Sequence, residues 1–313
     1  MRPTSLHRLL LPLCAMLSIS ACHGGDGASQ PGGSTPQAAL QTSIDLLKAG
    51  DFNALWKHAL PPADYATMRA DWTRQGQNQA PLTPADRARF TDTMQKLTGP
   101  DAENKLYAEA QPKLAVMEQQ YKDQLPVLIS VGQAVVKNGI ARNESLTADE
   151  KSQVGSVLDV LGPWAQQTPW FDQTRAKQAI GVAVATARKL DLKSPDQLRS
   201  LDFDTAMTKY STLFAGARQL LAVYGLSIDN TLDSVKLTPV SSDHGHAVVK
   251  IDYTLLGKPL STRSNLVQQD GRWYSQDLVD NVRKSHQQLT AQASTTTASP
   301  TAPAAAGTAA TKD

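Results

Sequence analysis

The sequence predicts an α+β fold: a predominantly helical N-terminal and middle region, then a 3–4-stranded antiparallel meander and a short closing helix. Three features lead there. Helix caps and Gly or Pro stops punctuate the chain from Pro36 to Gly225. Beyond Gly225 the apolar period falls from near 3.6 to 2, the period of a half-buried strand. Asp270-Gly271 then stands between two strand-like runs as a hairpin signal.

The elements follow in order. Thr35-Pro36 places a cap and a first-turn proline before Leu40, Ile44 and Leu47, and Gly50 ends that helix. Asp51 caps a short segment with Phe52, Leu55 and Trp56, stopped by Pro61-Pro62. Tyr65, Met68 and Trp72 mark the next face before Gly76, and Thr83-Pro84 opens a helix striped by Phe90, Met94 and Leu97. Leu114, Met117, Tyr121, Leu125 and Leu128 continue at helical spacing, with Pro126 set to kink or break the run. Thr147-Ala148-Asp149-Glu150 and Ser194-Pro195-Asp196-Gln197 both match a capping box. The last long helix starts near Asp204, with Ala206, Tyr210, Leu213, Ala217, Leu220 and Tyr224 as its stripe. Strands are expected around Val235 to Val240, over His246 to Leu256, over Leu260 to Gln268, and from Trp273. Turns are expected at Asp243-His244-Gly245, Gly257-Lys258-Pro259 and Asp270-Gly271.

Composition narrows the function classes. With 313 residues, 41% of them hydrophobic, the chain can bury a substantial core. Lys and Arg number 31 against 29 acids, so no basic surface for nucleic acid is implied. Two cysteines, Cys14 and Cys22, exclude a disulfide scaffold and a Cys-rich zinc module.

The N-terminus carries the strongest signal. Arg2 and Arg8 precede an apolar run from Leu9 to Ile19, too short for a spanning helix of about 20 residues but suited to a secretory signal. Ile19-Ser20-Ala21-Cys22 resembles the bacterial lipobox. The resemblance implies cleavage between Ala21 and Cys22, lipidation of Cys22, and a membrane partner engaged through that lipid. Each buried methylene of an acyl chain contributes about 0.8 kcal/mol, so two or three chains hold firmly. His23, rather than the Asp that retains many such proteins at the inner membrane, points to the outer membrane facing the periplasm. Cleavage removes two basic residues and no acid, leaving a formally neutral chain whose sole thiol is acylated.

Composition then divides the chain. Residues 1–21 read as the signal peptide, 22–35 as a Gly/Ser-rich flexible tether, and 36–200 as a helical region. Residues 201–290 read as a helix plus antiparallel sheet, continuous with the helical region or separate, the Pro-rich Gly162 to Pro169 being the interior boundary candidate. Residues 291–313, rich in Ala, Thr, Ser and Pro, are expected to be disordered.

Lys48-Ala49-Gly50-Asp51 at a helix end, with a late meander closing in Gln269-Asp270-Gly271-Arg272-Trp273-Tyr274, is similar to small bacterial envelope proteins of the nuclear-transport-factor-like cone fold. That resemblance implies a curved sheet wrapped around a helix over residues 204–277 and the first helix. It leaves function open.

No metalloprotease, redox-dithiol, nucleophile-elbow or P-loop motif occurs, and no catalytic residue, cofactor or metal ligand set is assigned. Asp243, His244 and His246 form the one metal-like cluster, which a solvated hairpin turn explains as well. Asp202 and Asp204 fit helix capping. Asp277 and Asp280 would lie at the open end of a cone. Trp56 and Trp72 fall on helical stripes and suit a core, whereas Trp164 to Phe171 is the candidate exposed contact surface, suited to a sugar or peptidoglycan ligand.

These readings favour a non-catalytic, lipid-anchored envelope protein that binds a periplasmic protein, peptidoglycan or a small ligand. The alternative is a hydrolase or isomerase using His244, His246 or an Asp, and it requires one of those groups inside an apolar cavity.

Overall fold

A computed structural model describes residues 30–77, 79–144 and 146–297. Cys22, Ala21 and the whole signal segment lie outside the described residues. In chain order the helices are α1 (Pro36–Ala49), α2 (Phe52–Ala59), α3 (Pro62–Gln77), α4 (Pro84–Thr98), α5 (Ala102–Tyr121) and α6 (Leu125–Arg142). Then come α7 (Ala148–Gln167), α8 (Gln173–Leu190), α9 (Pro195–Arg199), α10 (Phe203–Val223) and α11 (Ile228–Asp233). Strands β1 (Lys236–Asp243), β2 (His246–Leu255), β3 (Lys258–Gln269) and β4 (Arg272–Ser275) precede α12 (Gln276–Thr297). The fold is the α+β class read from the sequence.

The sheet is an antiparallel meander in the order β1-β2-β3-β4. Its hairpins turn on His244-Gly245, Leu256-Gly257 and Asp270-Gly271, each pair with positive φ at both residues. That geometry matches the right-handed twist of the flanking strands. The second turn is tighter than expected, because Lys258 and Pro259 already pair with Leu255 and Thr254. Pro239 and a neighbouring register shift sit on edge strand β1, two devices that blunt an exposed edge.

One face of β2 (Ala247, Val249, Ile251, Tyr253 and Leu255) is buried against Ala39, Leu40 and Ile44 of α1. Val157, Val160 and Leu161 of α7 pack on the same cluster. A second cluster joins Leu47, Phe52 and Leu55 to Phe203, Ala206 and Met207 of α10 and Leu232 of α11. Helix α10 presents a different face from the one its sequence stripe suggested. Tyr210, Leu213 and Leu220 are exposed, while Gly216 is buried. The reason is the approach of α8: a Cβ on Gly216 would lie 2.3 Å from the Thr186 hydroxyl, so α10 turns its small residue to that contact.

Caps set the helix starts. Thr147 and Glu150 form the expected capping box, and Thr83 with Asp86 forms another. Ser194 accepts from Gln197 N, but the Gln197 side chain accepts instead from Lys193 N, so that box is half made. The long run after Leu114 breaks at Lys122–Gln124, just before Pro126. Met117 and Leu128 of that run face solvent at 46% and 52% exposure. Gln133 directs the rotation of α6: its Nε2 donates to Leu158 O of α7 at 2.8 Å, and its amide fills the space beside Gly162. Residues 162–167 form the last turns of α7, and Thr168 caps them.

Two terminal readings change. The tether prediction reached residue 35, but Gly32 and Gly33 are buried and fastened: Gly33 bridges Trp273, and Gly32 N donates to His58 O at 2.8 Å. Arg272 donates to Pro31 O at 3.0 Å and to Gly32 O at 2.6 Å. Gly32 has φ +70 and lies against the Tyr274 ring, where a side chain does not fit. At the other end the closing helix is long. It runs to Thr297, past the expected start of the tail at Ala291, and is secured by buried Val279 and by Arg283 on Asp64.

Candidate functional site

The Trp164 to Phe171 segment, singled out as a contact surface, is a half-buried aromatic corner. Thr168 N and its hydroxyl both donate to Trp164 O, at 2.9 and 2.7 Å, closing the end of α7. Trp164 Nε1 donates to Tyr224 O at 3.0 Å, and Trp170 Nε1 to Ala165 O at 2.6 Å. The two indoles meet edge to face at 5.5 Å, and Trp170 lies 5.1 Å from the Tyr224 ring at a 34° tilt. Asp172 then caps α8, and Arg175 donates to Val223 O at 2.9 Å. Every polar atom of the two indoles is satisfied, and the rings are held as fixed plates.

Beside this corner is an open cleft of about 270 Å³. Trp170 and Phe171 line it together with Leu125 and Pro126 of α6. Glu118, Lys122, Gln166 and Asp172 supply polar groups of both signs. A cleft of this size, near the lower end of ligand pockets, suits one ring or one side chain rather than a large cofactor. Stacking on an indole with hydrogen bonds at the edge is how such a surface would hold a sugar ring or a peptide side chain. The contributions of Glu118, Lys122, Leu125 and Pro126 were missed in the sequence. The break expected at Pro126 was the available signal, since an elbow between helices creates a concave surface.

The histidines are placed otherwise. His244 sits on the open β1–β2 turn with its side chain 90% exposed, its Nδ1 2.6 Å from Asp243 Oδ1, and His246 is exposed at the start of β2. Neither lines the cleft beside Trp170 or the space beside His58. The buried imidazole is His58, whose Nε2 lies 3.0 Å from Ala39 O. Burial pushes its pKa down, more than its backbone acceptors raise it. The space beside it, between Ser43, Trp273 and Tyr274, is about 10 Å³, on the order of one water.

Of the two carboxylates read as capping groups, Asp202 is the cap and Asp204 is held in an ion pair. Asp202 caps α10, with Thr205 hydrogen bonds holding its pKa below the usual range. Asp204 pairs with Arg69, whose Nη2 donates to Oδ2 at 2.6 Å. Asp277 is pushed upward by desolvation and then by Glu150 and Asp280. Its side chain belongs to an exposed residue, so the partial burial acts on a group still in contact with water. Among the described residues no group of three or more His, Cys, Asp or Glu is placed to hold a metal ion. No helix among them is long and apolar enough to cross a membrane. The chain matches no family model, no curated protein and no solved structure.

Proposed function

We propose that the chain is a non-catalytic, lipid-anchored protein of the bacterial envelope, bound to the membrane through Cys22 and binding a periplasmic partner or small ligand at the Trp170 cleft. The observation that carries the anchoring is the lipobox-like Ile19-Ser20-Ala21-Cys22 at the end of a short apolar run. The fastening of Pro31 to Gly33 supports it physically. Between Cys22 and that clasp the chain spans at most about 30 Å when extended, so the body would be held close to the bilayer. The Trp170 ring, held by Ala165 O, Trp164 and Tyr224 where it lines the cleft beside Phe171, supports the binding half of the reading. Outer-membrane placement rests on His23 following the lipidated residue.

The test is intact mass and membrane fractionation of the wild type beside Cys22→Ala. Acyl mass on a chain starting at Cys22, with the variant released from the membrane, is the expected result. A soluble, unacylated wild type defeats the anchoring. Binding is read separately, by titrating intrinsic fluorescence with soluble peptidoglycan fragments and by crosslinking to periplasmic proteins. Trp170→Ala is expected to lower whichever signal appears by at least tenfold. An unchanged signal moves the binding site elsewhere.

A further inference from the structure

Helix α6 carries five exposed large hydrophobic residues, Val127, Leu128, Val131, Val135 and Val136, that neither the core clusters nor the cleft uses. Val127, Leu128, Val131 and Val135 are 64%, 52%, 57% and 66% exposed. The helix has no buried residue and packs chiefly on α7. Its exposed stripe has a specific order. Gln124, Leu128, Val131, Val135, Asn138 and Arg142 follow at alternating spacings of four and three, and all six are exposed. That is the seam spacing of paired helices, with Leu128, Val131 and Val135 as its apolar centre and Gln124, Asn138 and Arg142 as polar flanks.

We propose that this seam pairs with the same seam of a second copy, antiparallel, about a two-fold axis near Gln133. In that register Val131 meets Val135 of the other copy, Leu128 meets Asn138, and Gln124 meets Arg142. The arrangement brings the Asp123 end of one helix to the Arg142 end of the other and aligns the helix dipoles favourably, whereas parallel pairing sets like ends together. A lipid surface fits less well. Interfacial helices combine bulky or aromatic apolar residues with a face rich in Lys and Arg. Helix α6 has no aromatic residue and only Lys137 and Arg142 as cations, and Lys137 is engaged by Asp159 of α7.

The helix is about 27 Å long, so the contact falls short of a standard interface of about 1,600 Å² and the dimer is weak and concentration-dependent. This inference stands apart from the lipid reading. Confinement to a membrane would only raise the local concentration.

The test is cysteine crosslinking of the full chain with a short bismaleimide, run in both the native and Cys22→Ala backgrounds so that Cys22 pairing is seen as such. Val131→Cys is expected to crosslink at least tenfold more than Val240→Cys, an equally exposed position on β1. A mixture of Gln124→Cys and Arg142→Cys chains is expected to form mixed dimers. Equal crosslinking of Val131→Cys and Val240→Cys, or self-crosslinking of Gln124→Cys above the mixed product, overturns the proposal. Val131→Asp is expected to leave a sedimenting monomer at roughly 100 μM, where the parent chain is partly dimeric. Flotation of the Cys22→Ala chain with anionic vesicles, abolished by Val131→Asp, would give the face to lipid instead.

Discussion

Valine does two different jobs in this chain. In the sheet, Val249 is fully buried between Ala247 and Ile251, where alternating side chains of β2 meet α1. In α6, Val131 and Val135 are more than half exposed on a helix with no buried residue. The residue type is the same and the consequence is opposite. Strand alternation commits each side chain to one face, so a packed sheet decides burial position by position. A helix in an outer layer can be held along one side, here against α7 through Gln133 on Leu158, Ser130 on Gln166 and Lys137 on Asp159, and its opposite face is left open.

Core substitutions are the strongest way to sharpen this contrast. Ile251→Ala empties a fully buried site between sheet and α1, and is expected to destabilise the chain by about 2–5 kcal/mol in urea unfolding. Val249→Thr keeps the volume but buries a hydroxyl, with an expected loss of about 1–3 kcal/mol. A loss below about 1 kcal/mol for both would mean the sheet core is not the stabilising centre.

The clasp on the N-terminal segment is the next largest effect. Gly32→Ala places a methyl 2.7 Å from the Tyr274 ring at a positive φ, and is expected to destabilise by about 1–3 kcal/mol. Hydrogen exchange at Gly32 and Gly33 should accelerate in this variant while amides of β2 keep their protection relative to the global unfolding limit. Unchanged exchange at the two glycines would show that the segment is not held.

Most of the fold was legible because it rests on local chemistry. Thr35-Pro36, Asp51, Thr147 and Asp202 each cap the helix their type and spacing announced. The inward set of β2 follows from strict alternation in one strand. What escaped were facts set by distant partners. The rotation of α10 depends on Thr186 meeting Gly216, and that of α6 on Gln133 meeting Gly162, pairs no local pattern encodes. The Gly-rich composition of 23–35 spoke for flexibility, but Arg272, some 240 residues away, binds the carbonyls of Pro31 and Gly32. For the site, the aromatic half was visible as a tryptophan-rich link, whereas its α5 and α6 half required the elbow at Lys122–Gln124.

Acid should weaken the packed region through His58. Its folded pKa lies below the unfolded value of 6.5, because burial disfavours the cation. As pH falls, the unfolded chain therefore takes up the proton first. The stability contributed by the neutral imidazole is complete above pH 6.5 and is lost as pH drops from there through the folded pKa. The urea midpoint is expected to decline between pH 7.5 and 5, and less steeply in His58→Gln than in the parent. Parallel slopes would assign the acid sensitivity to groups other than His58.

The smallest effect expected is the exposed counterpart of the core substitution. Val135→Thr makes the same chemical change as Val249→Thr, but on a side chain already facing water, so the new hydroxyl loses no hydration. In dilute chain the unfolding free energy should stay within about 0.5 kcal/mol of the parent. The change is informative because of what it leaves intact. A stable monomer with weaker self-crosslinking through Val131→Cys would separate the two uses of valine in one molecule, folding in the sheet and association on α6. A loss of stability as large as that of Val249→Thr would instead place Val135 inside the monomer's own packing, and the contrast between the two regions would collapse.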